Sequence, residues 1–306
     1  MQHLTSLIPW NQDDLLGLLA LSRRVKADPR AWSTALQGKS LGMIFEKSST
    51  RTRVSFEVGM TQLGGHALFL SKSDIQLGRG ETIEDTARVL SRFVDGIMAR
   101  VYAQDTIERL TVATVPVING LSDMYHPCQA LADLQTVQEH RGALAGQVLT
   151  YVGDGNNVAH SLMIAGSRAG MTVRIAHPEG YAPSPEVVAA CEGQPGRVEL
   201  YTDPRVAVTG ADAVYTDVWA SMGQEAEQAE RARTFAPFQV NEALFALAKP
   251  DAIFLHCLPA HRGEEVTDGV VDHPRSAVLD QAENRMHAQK ALLLHLMGGV
   301  PLQAER

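Results

Sequence analysis

Two kinds of segment alternate along the chain. Short apolar runs are separated by longer stretches in which apolar residues return every third or fourth position. The runs at 41–45, 66–70, 96–99, 115–118, 147–152, 172–176, 213–216 and 252–255 read as strands. The stretches at 52–63, 81–94, 105–114, 127–140, 158–169 and 281–297 read as helices, with a polar helix within 223–234 and a short one at 241–247. Further strand and helix signals fall at 187–191 and 198–201. The first helix opens at Asn11-Gln12-Asp13-Asp14, continues through Leu15, Leu16, Leu18, Leu19 and Leu21, and stops at Asp28-Pro29. Val54, Phe56, Val58, Met60 and Leu63 are expected to face a core, as are Ile83, Ala87, Leu90 and Val94. This alternation predicts α/β architecture, with parallel sheets covered by helices on both faces.

The length of 306 residues suits two domains, and the glycine-bearing stretch Arg141-Gly142-Ala143-Leu144-Ala145-Gly146 reads as the joint. Apolar content of 45% and charged content of 20% are those of a globular protein. The net charge of −8 argues against a nucleic-acid partner. No apolar run approaches the ~20 residues that span a bilayer, so no membrane partner is expected. The first residues lack the basic start and long apolar stretch of a signal peptide. Cys128, Cys191 and Cys257 cannot all pair and show no C-x-x-C spacing, which fits a reducing cytoplasm and argues against structural zinc.

Candidate chemistry begins where the first strand ends. Ser48-Ser49-Thr50-Arg51-Thr52-Arg53 joins that strand to a helix start. Free N–H groups of a first helical turn favour an anion, hydroxyls add donors, and Arg51 adds a planar clamp. The alternative is a Ser/Thr cap with solvated arginines. The run is not a Walker P-loop, because Gly-x4-Gly-Lys-Ser/Thr is missing. The polar stretch 71–80 reads as a binding loop or a plain connector. Arg100 stands at the end of the third strand, where a dianion needs further positive charge. His126-Pro127-Cys128-Gln129 opens another helix, offering His126 and Gln129 at its positive end.

In the second half, Gly153-Asp154-Gly155-Asn156-Asn157 approaches a dinucleotide fingerprint but has the wrong glycine spacing, and the next strand ends at His177 without an acidic ribose partner. A Rossmann-type turn with Asn156 or Asn157 facing a crevice is the other reading. Asp217 and Ser221 follow one strand and Cys257 follows another. Ligands of open α/β sheets bind beyond the carboxyl ends of strands, so Asn157, Asp217, Ser221 and Cys257 are expected to converge.

Ser49-Thr50-Arg51-Thr52-Arg53, His126-Pro127-Cys128-Gln129, Asp217-x3-Ser221-Met222-Gly223 and His256-Cys257-Leu258-Pro259 together resemble the ornithine carbamoyltransferases, over about residues 40–297. The first two motifs are similar to carbamoyl-phosphate signatures shared with aspartate carbamoyltransferases, and the last two to those of the ornithine branch. The resemblance implies two Rossmann-like domains, each a parallel sheet flanked by helices. Residues 1–141 with the C-terminal helix 285–306 would bind carbamoyl phosphate, and residues 142–284 would bind ornithine. The last helix would pack back on the first domain. Carbamoyl phosphate and L-ornithine would give L-citrulline and phosphate, with no metal or organic cofactor, in a cytoplasmic homotrimer with shared sites.

Carried onto this chain, Ser49, Thr50, Arg51 and Thr52 would hold the phosphate, with Gln76 reaching the ligand of an adjacent subunit. Arg100, His126 and Gln129 would surround the carbamoyl group, and Arg285 would add charge. Asn157, Asp217, Ser221 and Met222 would bind ornithine, with Asn156 the weaker candidate of the adjacent pair. Cys257 and Leu258 would lie between the ligands. Arg51, Arg100, His126 and Cys257 would be the catalytic groups. The pairing Arg79-Gly80 has no assignment from the resemblance. The alternatives are a carbamoyltransferase using putrescine or an acylated ornithine, a non-catalytic paralogue, and a nucleotide-binding dehydrogenase.

Overall fold

The structure, a computed structural model, describes residues 2–72, 80–220 and 227–303. Gln76, Ser221 and Met222 lie outside the described residues. The chain divides into two compact units, Met1–Ala132 with Asn284–Arg306, and Asp133–Glu283. The elements begin α1 (Gln12–Ala27), β1 (Ser40–Phe45), α2 (Thr50–Gln62), β2 (His66–Ser71), α3 (Ile83–Leu90), β3 (Gly96–Arg100), α4 (Gln104–Leu110), β4 (Val117–Leu121) and α5 (Pro127–Arg141). They continue β5 (Val148–Val152), α6 (Asn157–Arg168), β6 (Thr172–Ala176), α7 (Pro185–Ala190), β7 (Arg197–Tyr201), α8 (Pro204–Val208) and β8 (Ala213–Thr216). The last are α9 (Gln228–Phe235), α10 (Glu242–Phe245), β9 (Ile253–His256), α11 (Asp268–Val271) and α12 (Val278–Leu296). The division between units falls inside α5 and α12.

The first unit holds a four-stranded sheet in the order β2-β1-β3-β4, parallel throughout. Ile44, Ala87, Ile97, Ala99, Ile107 and Val117 form one of its buried clusters. Phe56, Met60 and Leu63 are buried as expected, but Val54 and Val58 are 50% and 36% exposed. The helical period puts 56, 59, 60 and 63 on one side of α2 and 54 and 58 on the other. Helix α3 stops at Leu90, short of the expected 94, where the Ser91 hydroxyl donates to the Ala87 carbonyl at 2.6 Å. Val94 remains buried all the same.

Residues 284 onward of α12 belong to this unit, as the resemblance implied. Lys26 Nζ donates to Asn284 Oδ1 at 2.8 Å, and Lys290 Nζ to Gln62 Oε1 at 2.9 Å. Burial pushes the Lys290 amine below its ordinary value.

The second unit holds a five-stranded parallel sheet in the order β7-β6-β5-β8-β9. Val152, Ala176, Val214, Phe245 and Phe254 belong to its core. The signal at 187–191 falls largely in α7, whereas α8 and α11 are too short to show a period and were not anticipated. Among the described residues no helix is long and apolar enough to cross a membrane.

Candidate active site

Each sheet has a point where strand order reverses. In the first it lies between β1 and β3, and in the second between β5 and β8. Loops leaving neighbouring strands in opposite directions open a crevice there, at the carboxyl ends of the strands. Among the described residues, the main candidates from the sequence sit at these two places, and each cluster is described within its own unit.

In the first unit, Ser49 caps α2 in an extended conformation, its Oγ accepting from Thr52 N–H at 3.2 Å. A cap of this kind contributes about 1 kcal/mol. Thr50 and Arg51 form the exposed first turn. Their N–H groups have no intrahelical acceptor, because the helix has only begun. Thr52 is 1% exposed, so its side chain faces inward. Its Oγ1 accepts from the Ser49 hydroxyl at 3.1 Å and from Arg285 Nη2 at 3.3 Å. Arg285 Nη1 donates to Gln129 Oε1 at 2.5 Å. This guanidinium therefore ties the starts of α2 and α5 to α12. Arg53 turns away, stacking 3.8 Å above the Phe69 ring and pairing with Glu57 at 3.0 Å.

Arg100 ends β3 and His126 immediately precedes α5, and both are buried. Burial, with the charges of Arg285 and Arg100, holds the His126 imidazole well below its ordinary range. His126 is thus a neutral ring beside buried positive charge. The result is a buried cationic cluster that favours an anion. Burial also pushes the Cys128 thiol up to about 12, which keeps it an inert packing group.

In the second unit, the turn after β5 leads to Asn156, the N-cap of α6, and Asn157, its first residue. Gly155 is needed here: an added Cβ would lie 2.3 Å from Pro183 N. Asp217 follows β8 and Cys257 follows β9. The Cys257 thiol donates to Asp217 Oδ1 at 2.9 Å, which also accepts from Val218 N–H at 2.8 Å. Asn156 Nδ2 donates to Asp217 Oδ2 at 3.2 Å. The expected convergence of Asp217 and Cys257 is therefore seen, with Asn156 completing it. Asn157 stands half-buried at the same helix start.

Arg231 of α9 braces this cluster. Its Nη1 donates to Asp154 Oδ2 at 2.7 Å and to the Trp219 carbonyl at 3.0 Å, tying the loop after β5 to the loop after β8. The Tyr181 ring lies 5.0 Å from its guanidinium. Burial raises the Asp154 carboxyl against the lowering effect of Arg231.

The segment after β9 is fixed from behind. His256 Nδ1 accepts from Leu258 N–H at 2.8 Å, so the proton rests on Nε2, which faces Glu265 Oε1 at 3.1 Å. Glu265 Oε1 also accepts from His261 N–H at 2.6 Å. Gln281 Oε1 receives His256 N–H at 2.9 Å, and its amide donates to Asp133 at 2.7 Å. Leu258 has φ of 58° and precedes a cis peptide to Pro259. Ligand atoms of Asp217, His256 and Cys257 lie within 4.8 Å of one another. Both His256 nitrogens are already engaged, so this trio reads as a hydrogen-bonded set and not a metal centre.

Sequence reasoning found most of these positions but did not link Asn156 to Asp217, and it missed Arg231, Glu265 and Gln281. Asn156 had a visible signal, an asparagine just ahead of a helix. The others sit far along the chain from what they hold, and no local pattern marks them.

The two clusters coincide with two family models. Residues 2–139 match the carbamoyl-P binding domain of aspartate/ornithine carbamoyltransferase, and residues 145–296 match its Asp/Orn binding domain. An anabolic ornithine carbamoyltransferase of Pyrococcus furiosus is 63% identical over 270 residues, covering 87% of this chain and 86% of that one. An ornithine carbamoyltransferase of Halalkalibacterium halodurans is 56% identical over 305 residues, covering 97% and 96%. A solved ornithine carbamoyltransferase structure from Pyrococcus furiosus superposes with a TM-score of 0.95 at 57% identity, covering 98% of both chains. With both domain models matched across nearly its whole length and relatives this similar, the chain belongs to the aspartate/ornithine carbamoyltransferase family.

Proposed function

We propose that the chain is an ornithine carbamoyltransferase, moving the carbamoyl group of carbamoyl phosphate to the δ-amine of L-ornithine to give L-citrulline and phosphate. The observation that carries the reading is the pair Asp217 and Cys257, bonded at 2.9 Å beyond the second sheet's strands. An acidic anchor suits an acceptor with a cationic α-amino group and disfavours aspartate, whose second carboxylate it would repel.

In this reading the exposed turn Ser49-Thr50-Arg51 binds the phosphate, and Thr52 and Arg285 organise that turn from inside. Arg100, His126 and Gln129 surround the carbamoyl group. Asn157, Asp217, Ser221 and Met222 bind ornithine, while Cys257 and Leu258 border the reacting groups. Gln76 serves the phosphate held by an adjacent subunit of a homotrimer. The enzyme works in the cytoplasm, in arginine biosynthesis.

Phosphate is a good leaving group, so the neutral δ-amine attacks the carbamoyl carbon directly. A free alkyl amine has a reference pKa near ~10.4, so the site selects the minor neutral form. The new C–N bond forms as negative charge collects on the carbonyl oxygen, where Arg51, Arg100 and His126 donate. The C–O bond to phosphate then breaks, and phosphate takes the amine's proton. Atoms and charge balance without metal or organic cofactor. Carbamoyl phosphate binds first and ornithine second.

The test is citrulline-type product formation from carbamoyl phosphate with ornithine, putrescine, lysine and aspartate in parallel. Ornithine is expected to exceed putrescine by at least about 100-fold in kcat/KM, the discrimination expected when a buried polar anchor is left unpaired, and lysine by about 10- to 100-fold, the scale of one extra methylene. Preference for putrescine, or no turnover with any amine, overturns the assignment.

A further inference from the structure

Asn156 was the less favoured of two adjacent asparagines, yet it is the one bonded to Asp217. Its Oδ1 accepts from Val158 N–H at 2.9 Å and Ala159 N–H at 3.2 Å. The Tyr151 hydroxyl, 3.3 Å away, donates to the same atom. Three donors converge on Oδ1, so the amide cannot be turned over without losing them. Nδ2 is thereby aimed at Asp217 Oδ2, and among the described residues it is the one donor to that oxygen. The other oxygen, Oδ1, is left for Val218 N–H and the Cys257 thiol.

We propose that Asn156 is a positioning residue for the acceptor half of the reaction, using its helix-cap geometry to hold the Asp217 carboxylate in the rotamer that meets Cys257. One side-chain oxygen starts α6, and the nitrogen on the same rigid plane sets the acid. The start of a helix in one loop thus decides the direction of a carboxylate in another. Buried Tyr151 and the turn at Gly155 fix the frame in which this happens. The inference rests on the ornithine reading for its kinetic readout, and on the structure alone for its chemical one.

The capping and positioning roles separate by substitution. Serine caps helices about as well as asparagine but has no second arm. Asn156→Ser should keep the melting temperature while raising ornithine KM about 10- to 100-fold, the scale of one hydrogen bond to a charged group. The carbamoyl phosphate KM should stay within about twofold. Asn156→Asp also caps, but it turns an acceptor toward Asp217 and should lose more. In an Asp217→Asn background, Asn156→Ser should add little, because its effect acts through that acid. Cys257 alkylation by iodoacetamide gives a readout that needs no substrate. When Asp217 swings away, the thiol loses the carboxylate that holds its proton, and modification should speed several-fold.

Unchanged ornithine KM with unchanged alkylation in Asn156→Ser overturns the proposal, as does a full additional loss in the Asp217→Asn background. If wild-type protein makes no citrulline, the ornithine reading fails, and alkylation still decides whether Asn156 positions Asp217.

Discussion

The two clusters are built on one plan with opposite chemistry. Each lies where strand order reverses in a parallel sheet, with side chains drawn from loops after adjacent strands. In the first unit the cluster is cationic, with Arg100 and Arg285 buried and Arg51 exposed on a helix turn. In the second, the buried acid Asp217 is already hydrogen-bonded on both oxygens. The first resembles a site prepared for a charge brought by the ligand. The second holds a pre-set acidic anchor whose direction its hydrogen bonds fix. Topology supplies a crevice, and the residues at the strand ends decide what enters it.

The largest expected effect tests the cationic side. Arg51→Ala should lower kcat/KM by at least about 100- to 1000-fold, the usual cost of removing one preorganised donor. Because Arg51 is exposed, the melting temperature should hardly move. A near wild-type rate in a citrulline assay would remove Arg51 from the phosphate site.

The acidic side is sharpened by Cys257→Ser. A hydroxyl still donates to Asp217, and more strongly than a thiol, so the fold should persist; ornithine KM is expected to rise about tenfold because the larger sulfur beside the acceptor is lost. Carbamoyl phosphate affinity, measured by calorimetry, should be unaltered. Equal loss for both substrates would contradict the division of labour between the clusters.

The smallest effect is on stability. His126 is held well below its reference near 6.5 by burial and two arginines. Between its folded value and about 6.5, the unfolded chain carries a proton that the folded chain does not. Its contribution is therefore complete above about 6.5 and is lost as pH falls through the folded value. Urea midpoints measured from pH 7 downward should fall more steeply in wild type than in His126→Gln. Parallel curves would mean that this imidazole is not held neutral by its surroundings.

Much of this was legible in the chain itself. Strand ends are marked by apolar runs stopping at polar residues, so Arg51, Arg100, Asp217 and Cys257 were visible as candidates at equivalent positions. Helix starts were marked by Asn11, Ser49 and Pro127. Less legible was which side of α2 faces the core, because Val54 and Val58 are as apolar as Phe56 and Met60 and only the helical phase separates them. Thr52 turns inward onto Arg285, 233 residues further along the chain.

The sequence by itself determined the alternation of strands and helices, the caps, and the residue types standing at the strand ends. These follow from local periodicity and from which side chains can satisfy free backbone groups nearby. Only the tertiary structure decided that Asn156 grips Asp217, that Arg231 ties two loops together, and that burial with two arginines holds the His126 pKa down. Hydrogen bonding and burial act over a few ångströms in space, and sequence separation carries almost no information about which distant groups will come that close.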